Sequence, residues 1–162
     1  DGRTSIFDYW SLDTLRRRNN GGRYDEALLT DAERSLLHQY TAILRLAREE
    51  KALSEGTFFD LIYVNPTSDF FDSARQYAYL RKAGDAVVLV AVNFSDAPRR
   101  VRIRIPEEAF RSMSIPDNSP ARLTDLLTGS VSVGTLTHAC AYELELPPLS
   151  GRLLKFDYSG LR

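Results

Sequence analysis

Carboxylates are the first residues to weigh for chemistry, because two of them held across a bond can divide the work of acid and base. They come close together as Glu49-Glu50, Glu107-Glu108 and the alternating Glu143 and Glu145. Glu49-Glu50 sits where a helix is expected to end and Glu107-Glu108 in a turn. Glu143 and Glu145 share one face of an expected strand, where they should offset Arg102 or Arg104 across the sheet. Each group reads as a solvated face. The stripe Arg100, Arg102, Arg104 fits an anion site, but it equally fits the polar side of an antiparallel strand, and the second reading is adopted. Aromatic residues offer flat rings on which a ligand can stack, and Tyr9-Trp10 are the candidates because they lie together in an aperiodic segment. Packing of that loop is the competing explanation. Phe70-Phe71 carry the same ambiguity, and Tyr77 and Tyr79 read as strand-face packing. Cys140 is the one cysteine and His38 and His138 are the two histidines. No internal disulfide or thiolate zinc cluster follows from such a set, and no metal site is expected. Cys140 is expected as a small residue packed in a strand region, and His38 at a surface or facing a partner.

These residues must be positioned by elements that the spacing makes visible. Residues 1–29 show no sustained period and read as irregular. Thr30 and Glu33 then form a capping box. Leu36, Leu37, Tyr40, Ile43, Leu44 and Ala47 recur at three- and four-residue steps, which predicts an amphipathic helix over about 31–50 stopped near Gly56. Beyond Gly56 the period becomes two. Phe59, Leu61 and Tyr63 alternate. Gln76–Lys82 and Ala86–Phe94 flank Gly84-Asp85 as a hairpin, and the run from Ala86 to Val92, apolar on both faces, predicts a central covered strand. Val101, Ile103 and Ile105 alternate with arginines. Further strands are expected near 121–127, 130–136, 141–146 and 152–158, with a helical turn at 106–110. Asn93, ending a central strand, is expected to tie down the turn after it. The fold class is therefore mainly β, an antiparallel Greek-key-type β-sandwich preceded by an irregular N-terminal segment and one amphipathic helix.

Composition narrows the function classes. The 162 residues are 43% hydrophobic and 27% charged, enough for one ordinary core and a helical appendage. Lys plus Arg number 21 against 22 Asp plus Glu, a net charge of −1 that offers no field to draw nucleic acid or an anionic membrane. No apolar run reaches the roughly 18–20 residues that span a bilayer. Asp1–Ser5 has neither a basic nor an apolar leader region, and the chain reads as cut from something longer.

Four phrases resemble the C-terminal end of the α-amylase family of glycoside hydrolases. Tyr40–Arg48 followed by Lys51-Ala52-Leu53-Ser54-Glu55-Gly56 is similar to the last helix of the family's barrel and its exit. Tyr79–Lys82 through Val90–Ser95 resembles a strand pair ending in Val-Asn-Phe-Ser. Ala121–Gly129 resembles a segment containing Asp-Leu-Leu-Thr-Gly. Leu146–Leu154 resembles the Leu-Pro-Pro entry to a last strand. Together they cover about residues 40–158, and Gly2–Trp10 resembles the segment after the last barrel strand of some members.

The resemblance implies residues 1–55 as the end of a barrel and 56–162 as the C-terminal β-sandwich. Family members are retaining enzymes, whose nucleophile and acid lie about 5 Å apart at the ends of strands in a barrel of roughly 250 residues. No catalytic residue is carried onto this chain, and no cofactor. The implied function is that of a non-catalytic domain stabilising the catalytic barrel of an enzyme acting on α-glucans, with that upstream barrel as partner. The alternatives are a carbohydrate-binding module taking an α-glucan, with Tyr9 and Trp10 as candidate sugar contacts, or a dimerisation domain in which the fragment pairs with itself.

Overall fold

The computed structural model describes residues 12–158, which fall into two compact units, Asp1–Arg45 and Leu46–Arg162. Tyr9 and Trp10 lie outside the described residues.

In the first unit, part of the segment expected to be irregular is helical: α1 runs Asp13–Asn19. It has no apolar period to betray it. Its order comes from charge, with Asp13 in the first turn and Arg16, Arg17 and Arg18 in the last, complementing the helix dipole. Asn20 closes it in the left-handed region, donating its N–H to the Arg16 carbonyl. The capping box holds: Glu33 accepts from the Thr30 N–H at 2.9 Å and donates its own N–H to Thr30 Oγ1 at 3.3 Å. The same carboxylate takes Thr14 Oγ1 at 2.8 Å and the Arg17 guanidinium, so α1 is tied to the start of α2. The Arg17 hydrogen bond, helped by the Thr30 N–H, holds the Glu33 carboxyl well below the usual carboxylate range. Helix α2 spans Asp31–Glu49 and buries none of its residues.

The second unit begins at Leu46, within the last turn of α2, and continues with the short helix α3, Lys51–Ser54, β1 Thr57–Asp60, β2 Gln76–Ala83, β3 Ala86–Asn93, β4 Arg99–Arg104, α4 Glu107–Ser112, β5 Ser119–Asp125, β6 Val131–Leu136, β7 Ala141–Leu146 and β8 Ser150–Asp157. Strand β1 stops earlier than the alternation of Phe59, Leu61 and Tyr63 predicts. Asp60 Oδ1 accepts the Ile62 N–H at 2.7 Å, and Ile62–Val64 turns as a 3₁₀ helix; the local side-chain bond outcompetes the ladder.

Six strands form one sheet in the order β1-β2-β3-β8-β5-β6, and β4 pairs β7 in a second. Every pairing is antiparallel. β8 returns to lie between β3 and β5 while β4 and β7 cross over, an arrangement of Greek-key type. The two sheets enclose one core: Leu80, Leu89 and Phe156 from the large sheet and Val101, Ile103 and Leu146 from the small one are all essentially inaccessible. Alternation supplies this core directly, since arginines at 100, 102 and 104 stay exposed while Val101 and Ile103 are buried. Asn93 does tie down the turn after β3. Its amide donates to the Ala97 and Pro147 carbonyls at 2.9 and 3.0 Å, and Oδ1 accepts from Ser95 N and Oγ at 3.1 and 2.7 Å.

Candidate functional site: the outer face of the large sheet

A sheet in a sandwich usually shows a polar outer face. Here the outer face is apolar at its centre. Register places Val88 opposite Lys155, Val90 opposite Leu153 and Tyr79, and Val92 opposite Tyr77, all pointing away from the main core. Val88, Val90 and Ala52 of α3 form a second buried cluster, with Leu53, Tyr79, Val92 and Leu153 packed around it half-buried.

Three devices hold α3 on this face. Arg81 donates from Nε to the Ala52 carbonyl at 3.1 Å and from Nη2 to the Leu53 carbonyl at 2.9 Å, satisfying acceptors at a helix end. Lys155 Nζ meets Glu50 Oε2 at 2.6 Å, and Glu50 Oε1 accepts the Ala52 N–H at the start of α3. Gly56 makes the return tight: a Cβ there would stand 2.3 Å from the Ala52 carbonyl oxygen and 2.7 Å from that of Lys82. Only glycine fits, for want of space rather than for its φ.

At the β1 margin Phe58 is about half exposed and packs on Tyr79, with centroids 5.4 Å apart and rings inclined by 39°. Tyr79 meets Tyr77 at 5.7 Å and 43°. Rings tilted so far from one another make an apolar cluster, not a flat platform for a sugar. Tyr77 donates its hydroxyl to Asp60 Oδ2 at 3.3 Å, and burial with the neighbouring carboxylate pushes the phenol upward.

Each carboxylate pair has at least one engaged member. Glu143 accepts from Arg102 at 2.7 Å and Arg100 at 2.8 Å, and the Arg102 bond foremost holds its carboxyl down. Arg100 also reaches Glu145 at 3.6 Å, whereas Arg104 faces Ala141 in the ladder and so is not the partner expected for either glutamate. Glu49 lies by Arg48, Glu50 is engaged as above, and Glu108 accepts the Tyr63 hydroxyl at 2.9 Å. His38 is exposed and meets Glu26 at 2.9 Å. Cys140, expected to be packed, is exposed instead, because it lies in the turn just before β7 rather than in the strand. It lines a cleft of about 410 Å³ with Arg104, Pro106 and His138, and His138 Nδ1 meets Asp117 Oδ2 at 3.0 Å. Among the described residues no group of His, Cys, Asp or Glu is arranged to hold a metal ion.

Sequence reasoning missed two fixed points. Asp125 is buried, accepts the Leu127 and Thr128 N–H groups at 2.9 and 3.3 Å through Oδ1, and lies 2.5 Å from Arg152 Nε through Oδ2. Tyr142 accepts the Thr137 N–H at 2.8 Å and turns its hydroxyl toward the Thr135 and Thr137 carbonyls, and burial pushes its phenol up to about 12. An aspartate opening a Leu-Leu-Thr-Gly turn was the available signal for the first. Nothing in the sequence marks the second.

With this geometry in view, the family is defined. Residues 71–157 match the model of the α-amylase C-terminal all-β domain, and the chain belongs to that family. Solved structures share the fold: AmyP in complex with maltose (TM-score 0.56, 20% identity, 78% of this chain and 21% of that one), the α-amylase from Geobacillus thermoleovorans complexed with acarbose (0.54, 18%, 79% and 24%), and a noncanonic maltogenic α-amylase, AmyB, from Thermotoga neapolitana (0.53, 12%, 75% and 25%). The chain spans about a fifth to a quarter of their length. The comparison with curated proteins returned no match.

Proposed function

We propose that this chain serves as the non-catalytic C-terminal region of an α-amylase-family glycoside hydrolase acting on α-glucans, and that it stabilises the catalytic barrel. In this reading residues 1–55 are the end of the barrel, 56–162 the supporting sandwich, and α3 the seam between them. The observation that carries it is uncovered apolar surface on the elements that such a barrel needs. Leu36, Tyr40, Ile43 and Leu44 of α2 are each 51–65% exposed, a stripe at helical spacing that a barrel strand and neighbouring helices bury. The outer sheet face, apolar beyond the small patch α3 covers, supports the same role, and so does the engagement of at least one member of each carboxylate pair by a cation or a hydroxyl donor.

The test has two arms. Incubated with maltoheptaose or amylose, the purified chain releases no reducing sugar; turnover that follows the protein through purification overturns the non-catalytic assignment. In the full parent enzyme, Leu44→Asp lowers the thermal midpoint of the barrel while Arg100→Gln leaves it unchanged; equal behaviour of the two variants removes the stabilising role. The carbohydrate-binding alternative is weakened by the tilted rings at Phe58, Tyr79 and Tyr77, and calorimetric titration with maltoheptaose decides it.

A further inference from the structure

The margins of the sandwich are unequally protected. β1 is four residues long and ends in Asp60. β4 carries arginines, and its outer side is covered where Arg102 N–H donates to the Phe70 carbonyl at 3.2 Å and Asn65 bonds both backbone groups of Arg104 at 2.8 and 3.0 Å. β7 carries Glu143 and Glu145. Short length, charge and cover are the usual means by which edges are kept from pairing. β6 is neither short nor charged, and cover is confined to the Thr135 carbonyl near its end, which accepts the Tyr142 hydroxyl at 3.1 Å. It reads Val-Ser-Val-Gly-Thr-Leu, without a charge or a proline, and ends the large sheet with no strand beyond it among the described residues.

The backbone of β6 shows which groups are left over. Asp125 N–H donates to the Ser130 carbonyl at 2.9 Å. Antiparallel bonding alternates, so with Leu123 opposite Ser132 and Ala121 opposite Gly134, residues 130, 132 and 134 bond β5. Val131, Val133 and Thr135 therefore aim their N–H and carbonyl groups outward. Pro120, which has no N–H, stands opposite Thr135 at a position where none is required. Val131 and Val133 are also 50% and 76% exposed.

From this we infer that β6 is a self-pairing edge, joining two copies of this chain through antiparallel β6–β6′ addition about a two-fold axis at Val133. A second copy is the occupant because the strand complements itself. Centring the axis on Val133 sets Val133 beside Val133′ and Val131 beside Thr135′, which are β-branched pairs on one face. It gives partners to the outward N–H groups of all three residues and to the Val131 and Val133 carbonyls on each chain, with two bonds at each of three pairs, about six in all, the two at the Thr135 carbonyls being shared with the Tyr142 hydroxyl that each already accepts at 3.1 Å. An uncharged strand meets no like-charge repulsion from its twin. An acidic or basic peptide would gain nothing from it.

Sedimentation velocity of the full chain over a concentration series tests this, with Val133→Lys and, as control, Leu44→Glu on α2. Val133 is exposed, so the lysine leaves the fold intact, which circular dichroism checks. The expected result is a concentration-dependent dimer whose dissociation constant rises at least tenfold in Val133→Lys and is unchanged in Leu44→Glu. Register is read in a Cys140→Ser background, because hydrogen-bonded antiparallel pairs bring Cα atoms to about 5.5 Å, within disulfide range. Val133→Cys cross-links to itself on oxidation; Val131→Cys does so only when mixed with Thr135→Cys. A chain that stays monomeric to about millimolar concentration, a dimer lost with Leu44→Glu and kept with Val133→Lys, or self-linking of Val131→Cys alone each overturns the inference.

Discussion

Replacing Gly56 by alanine tests how firmly α3 is fixed to the sheet. In an open site such a change stabilises by about 0.4–1 kcal/mol through the unfolded chain. Gly56 is not open. The new methyl would lie 2.3 Å from the Ala52 carbonyl oxygen, 2.7 Å from the Lys82 oxygen and 2.9 Å from the Lys82 carbonyl carbon. All three are backbone atoms, so no side chain can swing aside. Either β2 or α3 must shift, and overpacking of this kind costs about 1–3 kcal/mol. Displacing α3 also loosens the Arg81 bonds to Ala52 and Leu53 and uncovers Val88 and Val90, which are buried beneath Ala52. A net loss of about 1–2 kcal/mol is expected in urea unfolding. Hydrogen exchange resolves where it falls: amides of Leu53–Glu55 should lose protection before those of β3. A Gly56→Ala protein as stable as the wild type, or more so, would refute the idea that the close return from α3 into β1 fixes the helix on the sheet.

Other outcomes follow from single side chains. Asn93→Ala strips partners from the Ala97 and Pro147 carbonyls and the Ser95 amide in a fully buried site, and should cost about 2–4 kcal/mol by denaturant titration. Arg152→Met leaves the buried Asp125 without its cation and should destabilise more than Asp125→Asn with Arg152 intact, a ranking that thermal unfolding reads. The Glu33 carboxyl titrates below its ordinary value, so its contribution is full above the unfolded pKa and fades as pH falls through the folded one; Glu33→Gln should flatten the acid limb of α1 and α2 helicity followed by circular dichroism. The Tyr142 phenol is raised to about 12. Between its ordinary value of 10.0 and that point the unfolded chain holds fewer protons than the folded one, so stability falls with rising pH there, and Tyr142→Phe should remove that slope.

Strands were legible where alternation and burial agree. Val101 and Ile103 among arginines, and the apolar run of β3, fix their elements because each side chain has one acceptable face. The capping box at Thr30 was readable for a similar reason, being a local bond between two residues three apart. Helix α1 was not, since seven residues held by charge and by the remote Glu33 leave no apolar period. The end of β1 was hidden because Asp60 bonds its own neighbour two residues on, a choice that period-two counting does not see. Outside the candidate site, the apolar row of α2 could be read from spacing. The seam could not, because Glu50–Lys155 joins residues 105 apart and Gly56 matters only once Lys82 lies beside it. Tyr9 and Trp10, expected as sugar contacts because two adjacent rings lie in an aperiodic segment, fall outside the described residues, and the same calorimetry tests them.

The position of β8 between β3 and β5 has a consequence for biosynthesis. Until residues 150–157 have left the ribosome, β1-β2-β3 and β5-β6 are separate pieces with no bond between them. The partner of Val87 in the ladder, Phe156, is also its companion in the core, so the nascent chain carries a raw β3 margin from Asn93 onward, and a raw β5 margin from Asp125 onward, until β8 is made. Closure must then be late and abrupt, in the manner of proteins dominated by distant pairings. A nascent chain arrested before Ser150 should be held by chaperones, and one extended past Asp157 by a linker that spans the exit tunnel should be released.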